Sequence, residues 1–274
     1  MWSIILLPLI AFFVGIIAAM IGIGGGVFMV PALVLLPWYA LNPAIASGTS
    51  LATIVFTSTS STLRYMKQKR IDYSLGLALA STTIPGAFLG SYLKSLIETR
   101  LLGIIFALFL LLVAIRMAFE KRSRKRNLGK PVMKKGTRRL VDSYGKVFIY
   151  PWNLKLAPMI GFASGFFSGL LGIGGGAVLV PAMNLGIGVP MHVSVATTMY
   201  VMVFTSIAGT LTNIWLRHVR FDYAILMASG IIFGAQLGAH YAAKVPAEKL
   251  RRIFGIVLLV MGVRMILKFT YAVP

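Results

Sequence analysis

From Met1 to Leu63 the chain carries not one Lys, Arg, Asp, Glu or His. A water-soluble fold cannot present such a stretch to solvent, whereas the hydrocarbon core of a bilayer accepts it. The rest of the sequence agrees, with 58% hydrophobic and 12% charged residues, against about 25% charged in soluble domains. The absence of Cys excludes disulfides, thiolate nucleophiles and Cys-based metal sites. Met1-Trp2-Ser3 leads straight into apolar residues without a basic n-region, so the first segment is expected to stay in the mature protein.

The net charge of +21 does not point to nucleic acid. Eleven of the 27 basic residues fall between Lys121 and Lys146, and most others flank apolar runs. That is the distribution of the positive-inside rule, and no aromatic-basic module accompanies it. Contact with anionic lipid headgroups is the expected secondary role of the basic stretch.

Eight apolar segments can be read: Trp2 to Trp38, Pro43 to Leu63, Tyr73 to Ile97, Leu101 to Phe119, Leu156 to Val189, Val193 to Leu216, Tyr223 to Ala243, and Ile253 to Phe269. Most have the roughly 20 residues a spanning helix needs. Barrel strands would be about half as long and would alternate. The second four repeat the first. Gly22-Ile23-Gly24-Gly25-Gly26-x4-Pro31-Ala32 matches Gly172-Ile173-Gly174-Gly175-Gly176-x4-Pro181-Ala182. Thr49-Ser50 answers Thr197-Thr198, Arg70-Ile71-Asp72-Tyr73 answers Arg220-Phe221-Asp222-Tyr223, and Gly86-x3-Gly90 answers Gly234-x3-Gly238. Such duplication is common among secondary transporters. The expected organisation is an all-α membrane protein: repeat 1 over residues 1–119, a basic cytoplasmic linker over 120–154, and repeat 2 over 155–274.

Segments one and five would each measure roughly 50 Å as one helix, against a hydrocarbon core of roughly 30 Å. The glycine clusters supply a break, since so many glycines disfavour continuous helix. Backbone freed at membrane depth is tolerated only inside protein or along a wet cavity, and a helix beginning after the break offers bare N–H groups to an anion. Gly22, Gly24, Gly25, Gly26 and Gly172, Gly174, Gly175, Gly176 are therefore candidate substrate-binding residues. The plainer alternative is close helix packing, and for the spaced pairs Gly86/Gly90 and Gly234/Gly238 it is the better one. Thr49, Ser50, Thr197 and Thr198 join the candidates, because hydroxyls can donate to an oxyanion; they can equally bond their own helix. Asp72 and Asp222 read as helix N-caps, and Arg116 and Arg264 as snorkelling side chains. Asn213, Gln236 and His240 read as either helix–helix hydrogen bonds or cavity groups.

No Asp or Glu lies deep in any segment, so the carboxylate of many ion-coupled carriers is missing. No metal cluster, no nucleophile with a base partner and no nucleotide-binding loop is visible. No catalytic residue, metal or cofactor is expected, and the chain does not read as an enzyme.

With its doubled Gly-Ile-Gly-Gly-Gly-x4-Pro-Ala element, eight-segment plan, Asp72-Tyr73 and Asp222-Tyr223 pairs and basic linker, the sequence resembles the sulfite exporter TauE/SafE family, also described as toluene-sulfonate-uptake permeases. The likeness covers essentially the whole chain. It implies a small sulfur-containing anion as substrate, such as sulfite or an organosulfonate like sulfoacetate. The expectation is a secondary transporter, in the exporting direction, of the cell inner membrane, in contact with membrane lipid and not with nucleic acid; a homodimer stays open. Rival readings are a membrane scaffold and an intramembrane enzyme. One crossing per segment would place the linker and both termini in the cytoplasm. If segments one and five are re-entrant hairpins, the repeats become inverted; the sequence permits both.

Overall fold

A computed structural model describes residues 2–36, 39–119, 136–151, 155–242 and 247–271. Helices cover all eight expected segments. They are α1 (Trp2–Ile21), α2 (Gly26–Leu35), α3 (Pro43–Lys67), α4 (Tyr73–Leu96), α5 (Thr99–Phe119), α6 (Ala157–Leu171), α7 (Gly176–Pro181), α8 (Met191–Trp215), α9 (Phe221–Tyr241) and α10 (Ala247–Tyr271), with a π-helix over Ala182–Ile187 continuing α7. By length and apolarity alone, Met191–Trp215 and Phe221–Tyr241 qualify as membrane spans, and Leu6–Ile21, Gly26–Leu35, Thr99–Leu112 and Ala157–Leu171 are shorter apolar helices. The surface is inverted relative to a soluble protein. Thr49, Ser50, Thr53, Thr57, Ser58 and Ser61 of α3 are buried, while Leu9, Phe13, Leu77, Phe88, Leu108 and Leu112 face outward.

Small residues bring the helices together. A Cβ on Gly230, Gly234 or Gly238 would overlap the carbonyl oxygen of Pro8, Phe12 or Ile16 respectively, so α9 lies directly on α1. In the same way Gly161, Gly165 and Gly169 of α6 seat against Leu79, Thr83 and Ala87 of α4, and Gly86 and Gly90 of α4 against Phe162 and Phe166 of α6. These are the packing contacts that the x3 spacing foretells. α3 and α8 lie side by side, and α5 packs on α10.

The paired residues fix the direction of each helix. Pro8–Gly230 through Ile16–Gly238 advance together, as do Ser60–Ile232 and Arg64–His240, so α1, α3 and α9 are parallel. Thr83–Thr205 and Ser91–Asn213 advance together, so α4 runs with α8, and the glycine contacts add α6 to that set. Gly48, near the start of α3, meets His218, just beyond the end of α8; these two helices are antiparallel. Because α1 and α3 point the same way, α2 returns the chain to the end from which α1 set out. Segments one and five are thus helical hairpins rather than single crossings.

This overturns one expectation. The α3–α4 connection, with Lys67, Lys69 and Arg70, lies at one end of the bundle. The α8–α9 connection, the start of α1 and the end of α10 lie at the other, Gly103 of α5 meeting Phe269 there. Linker and termini therefore cannot all face the cytoplasm. The one-crossing reading sets them together; the hairpin alternative, which the sequence also permits, is the arrangement found, because the glycine break folds each long segment back.

The described part of the linker holds an unforeseen element, an antiparallel hairpin of β1 (Thr137–Val141) and β2 (Val147–Pro151). It is clamped to the α3–α4 connection. Arg70 pairs with Asp142 at 2.9 Å, Arg138 with Asp72 at 2.9 Å, and the Tyr150 hydroxyl donates to Asp72 at 2.6 Å. Phe148 and Tyr150 sink into a cluster with Leu75, Leu79, Met183 and Val193. Residues 120–135, most of the basic stretch, lie outside the described residues, and so does the Arg116 side chain.

Candidate functional site

Both glycine breaks turn in the same way. After α1, Gly22, Gly24 and Gly25 take φ of 84°, 83° and 92°; after α6, Gly172, Gly174 and Gly175 take 72°, 79° and 81°. Gly25 and Gly175 cap α2 and α7 in the left-handed conformation, which side chains with a Cβ rarely adopt. Ile23 and Ile173, the side chains inside the two glycine clusters, are both buried.

The breaks meet each other. A Cβ on Gly26 would overlap the carbonyl oxygen of Gly172 and lie 2.7 Å from Ile173 Cα; one on Gly176 would overlap the carbonyl oxygen of Gly22 and lie 2.9 Å from Ile23 Cα. Ile54 of α3 and Met202 of α8 fill what remains, each touching both Gly24 and Gly174. Ile54 stands near the middle of α3, so the crossing point lies near mid-depth in the bundle. α2 is buried along nearly its whole length.

The hydroxyl candidates divide. Ser50 donates to the Gly172 carbonyl at 3.0 Å and so belongs to the breaks. Thr198 contacts Met183 Sδ at 3.6 Å, beside the π-helix. Thr49 donates to Ile45 O at 2.7 Å and accepts from the Arg220 N–H at 3.0 Å; Thr197 accepts from the Asp72 N–H at 2.9 Å. The last two hold the α8–α9 and α3–α4 connections. Those connections are built alike, each through a left-handed non-glycine residue, Lys69 and Arg217.

Most of the remaining polar side chains have defined partners. Asp72 caps α4, accepting from the Leu75 N–H at 3.2 Å, whereas Asp222 lies within the first turn of α9 and pairs with Arg220 at 2.6 Å. Gln236 donates to Ser60 O at 3.0 Å and His240 Nδ1 meets Arg64 Nη2, both helix–helix contacts. Arg264 is exposed. Asn213 is fully buried and bridges Ser91 to Lys94. Lys94 is not among the residues the sequence singles out; a lone Lys between Leu93 and Ser95, near the end of segment three, is its only signal there. Among the described residues no group of His, Cys, Asp and Glu could hold a metal ion.

The chain matches the family model described as "Sulfite exporter TauE/SafE" over residues 7–265. It is 33% identical to "Probable membrane transporter protein YunE" of Bacillus subtilis (strain 168), across 96% of this chain and 97% of that protein. It is 29% identical to "Probable membrane transporter protein MJ0441" of Methanocaldococcus jannaschii, across 96% and 95%, and 28% identical to "Probable membrane transporter protein YdhB" of Bacillus subtilis (strain 168), across 90% and 93%. No solved structure matches the chain. The glycine hairpins, the buried hydroxyls and the apolar exterior are thus features of a membrane protein with transporters for relatives, and the chain belongs to the sulfite exporter TauE/SafE family.

Proposed function

We propose that the chain is a secondary transporter that exports a small anion, sulfite or an organosulfonate such as sulfoacetate, across the inner membrane. The observation that carries this reading is the meeting of the two glycine breaks at mid-depth. Backbone freed from helical hydrogen bonding is placed where it can serve a solute and not lipid. The family description and the resemblance supply the substrate class.

In this reading residues 1–119 and 155–274 are two copies of one unit related by inversion. The antiparallel α3/α8 pair, the matched breaks and the matched connections support it, and inverted repeats commonly place substrate at their interface. The proposed site comprises Gly22, Gly24, Gly25 and Gly26, Gly172, Gly174, Gly175 and Gly176, and Ser50. Ile54 and Met202 are its gate, because both must withdraw before a solute can sit between Gly24 and Gly174. The positive-inside rule sets the end bearing Arg64, Lys67, Lys69, Arg70 and the hairpin in the cytoplasm, with the termini outside.

Flux of sulfite and sulfoacetate in proteoliposomes of the purified chain is the test. Uptake above protein-free vesicles supports the reading, and its absence for both solutes returns the protein to the scaffold class.

A further inference from the structure

Among the described residues four charged side chains are buried: Arg70, Asp72, Lys94 and Asp142. Arg70 closes on Asp142, and Asp72 on Arg138. Lys94 meets no acid. Its Nζ donates to Ser47 Oγ at 2.8 Å and to Asn213 Oδ1 at 2.6 Å, two neutral acceptors for an ammonium with three N–H donors. A buried charge with no counter-charge is unfavourable, the more so at membrane depth.

Packing does not require this charge, because the chain fills the corresponding space a second time without one. Matching Gly86/Gly90 to Gly234/Gly238 sets Ser91 and Lys94 opposite Ala239 and Ala242. Matching Thr49-Ser50 to Thr197-Thr198 sets Ser47 opposite Val195, and Tyr65 opposite Asn213. Val195, Tyr65, Ala239 and Ala242 gather in one apolar cluster. There the Tyr65 hydroxyl donates to Ala19 O at 2.8 Å, while in the charged copy Ser91 Oγ donates to the matching carbonyl of Gly169 at 3.4 Å.

Two orphaned polar atoms lie on the neighbouring elements. Ser168 Oγ and His218 Nδ1 are buried with no hydrogen-bond partner. Ser168 leads into the second break, its carbonyl accepting from the Gly172 N–H at 2.8 Å, and a Cβ on Gly172 would lie 2.6 Å from Ser47 Oγ. His218 abuts Gly48, next to Ser47. Ser47 therefore joins the fixed cation to the second break, His218 adjoins it at Gly48, and Ser168 borders the same break at Gly175, where an added Cβ would lie 3.5 Å from Ser168 Cβ.

We propose that Lys94, aligned by Ser47 and Asn213, is the fixed cation that binds an oxyanion at the second break, with Ser168 and His218 as further hydrogen-bonding groups. The proposal rests on the transporter reading and deepens it. It makes the substrate site one-sided: the break after α6 is charged, and the break after α1 is its neutral counterpart.

The test is thermal stabilisation of the purified full-length chain by sodium sulfite, with sulfite flux in proteoliposomes alongside. Lys94→Met keeps volume and removes charge, and should weaken sulfite binding tenfold or more. Asn213→Asp keeps the oxygen that faces Lys94 while giving the ammonium an internal carboxylate, and should weaken sulfite binding by a similar factor. A lysine that only clamps helices would be left clamped by Asn213→Asp, with sulfite binding unchanged. Wild-type sulfite affinity, within twofold, in either folded variant overturns the lysine proposal and leaves the transporter reading standing. If Lys94→Met does not fold, Asn213→Asp decides alone. A wild-type chain that neither binds nor moves sulfite or sulfoacetate overturns both readings together.

Discussion

Gly26 and Gly172 stand backbone to backbone, with no room for a methyl group between the α-carbon of one and the carbonyl oxygen of the other, and Gly176 and Gly22 repeat the contact. Gly26→Ala and Gly176→Ala should each force the two breaks apart. Overpacking of this kind costs about 1–3 kcal/mol, so each should lower the melting temperature and reduce flux together. Gly86→Ala and Gly234→Ala, which clash with Phe162 and Phe12 backbone far from the crossing, should lower melting temperature while surviving protein keeps its sulfite affinity.

Met202 fills the space between Gly24 and Gly174 with the tip of a flexible thioether. Met202→Ala should destabilise the fold by about 2–5 kcal/mol and, in protein assayed below its new melting point, raise the rate of sulfite flux. Unchanged or slower flux in well-folded Met202→Ala would remove Met202 from the gate.

Sidedness can be read chemically in this Cys-free chain. Ser143 in the hairpin and Arg217 in the α8–α9 connection are both exposed and lie at opposite ends of the bundle. With a membrane-impermeant thiol reagent on intact cells, Arg217→Cys should label at once and Ser143→Cys only after the membrane is opened. Lys130→Cys, outside the described residues, should follow Ser143→Cys. Labelling of both sites from one side would contradict the direction of α8 relative to α3.

The hairpin clamp has a defined pH response. Burial raises the Asp142 carboxyl, but the Lys146 N–H, the Arg70 guanidinium and the Tyr144 N–H together carry it below its ordinary value of 3.8. A depressed carboxylate stabilises fully above the unfolded value and loses that contribution as pH falls through the folded one. Amide exchange across β1 and β2 should therefore be independent of this group from neutrality to about pH 4 and accelerate only below. Asp142→Asn should show fast exchange throughout, since removing one partner leaves Arg70 buried and unpaired.

Flux should follow membrane potential. A dianion leaving an inside-negative vesicle gains roughly 4.6 kcal/mol per 100 mV, which drives export without a second ion. Sulfite efflux that stops when a proton or sodium gradient is collapsed at constant potential would point to a coupling site elsewhere.

Much of this was legible in the residues. The charge-free opening, the eight apolar runs and the paired glycine elements located every helix, because apolar length and glycine breaks act locally. The seating of Gly86 and Gly234 could be read from spacing alone. Direction could not: whether α2 goes on or turns back depends on Gly25 adopting a left-handed conformation, which leaves no trace in hydropathy. The roles of Thr49 and Thr197 were hidden for a related reason, since the N–H groups they accept from belong to Arg220 and Asp72, far along the chain. The hairpin escaped notice because Val147 to Pro151 is a short unbroken apolar run beside a basic stretch, alternating only in burial. Lys94 was visible as a letter, but its burial arises from three helices arriving at one place.

The pairing of α1 with α9 and of α6 with α4 also constrains how the protein is made. As α1 leaves the ribosome, the glycine face that receives it does not yet exist, and it must wait in lipid until nearly the whole chain has been inserted. α4, in turn, presents Gly86 and Gly90 to a helix not made until the basic stretch has been translated. Neither half can reach its final packing alone: α4 can close on α6 once the second half has begun, and α1 on α9 only near the end of synthesis.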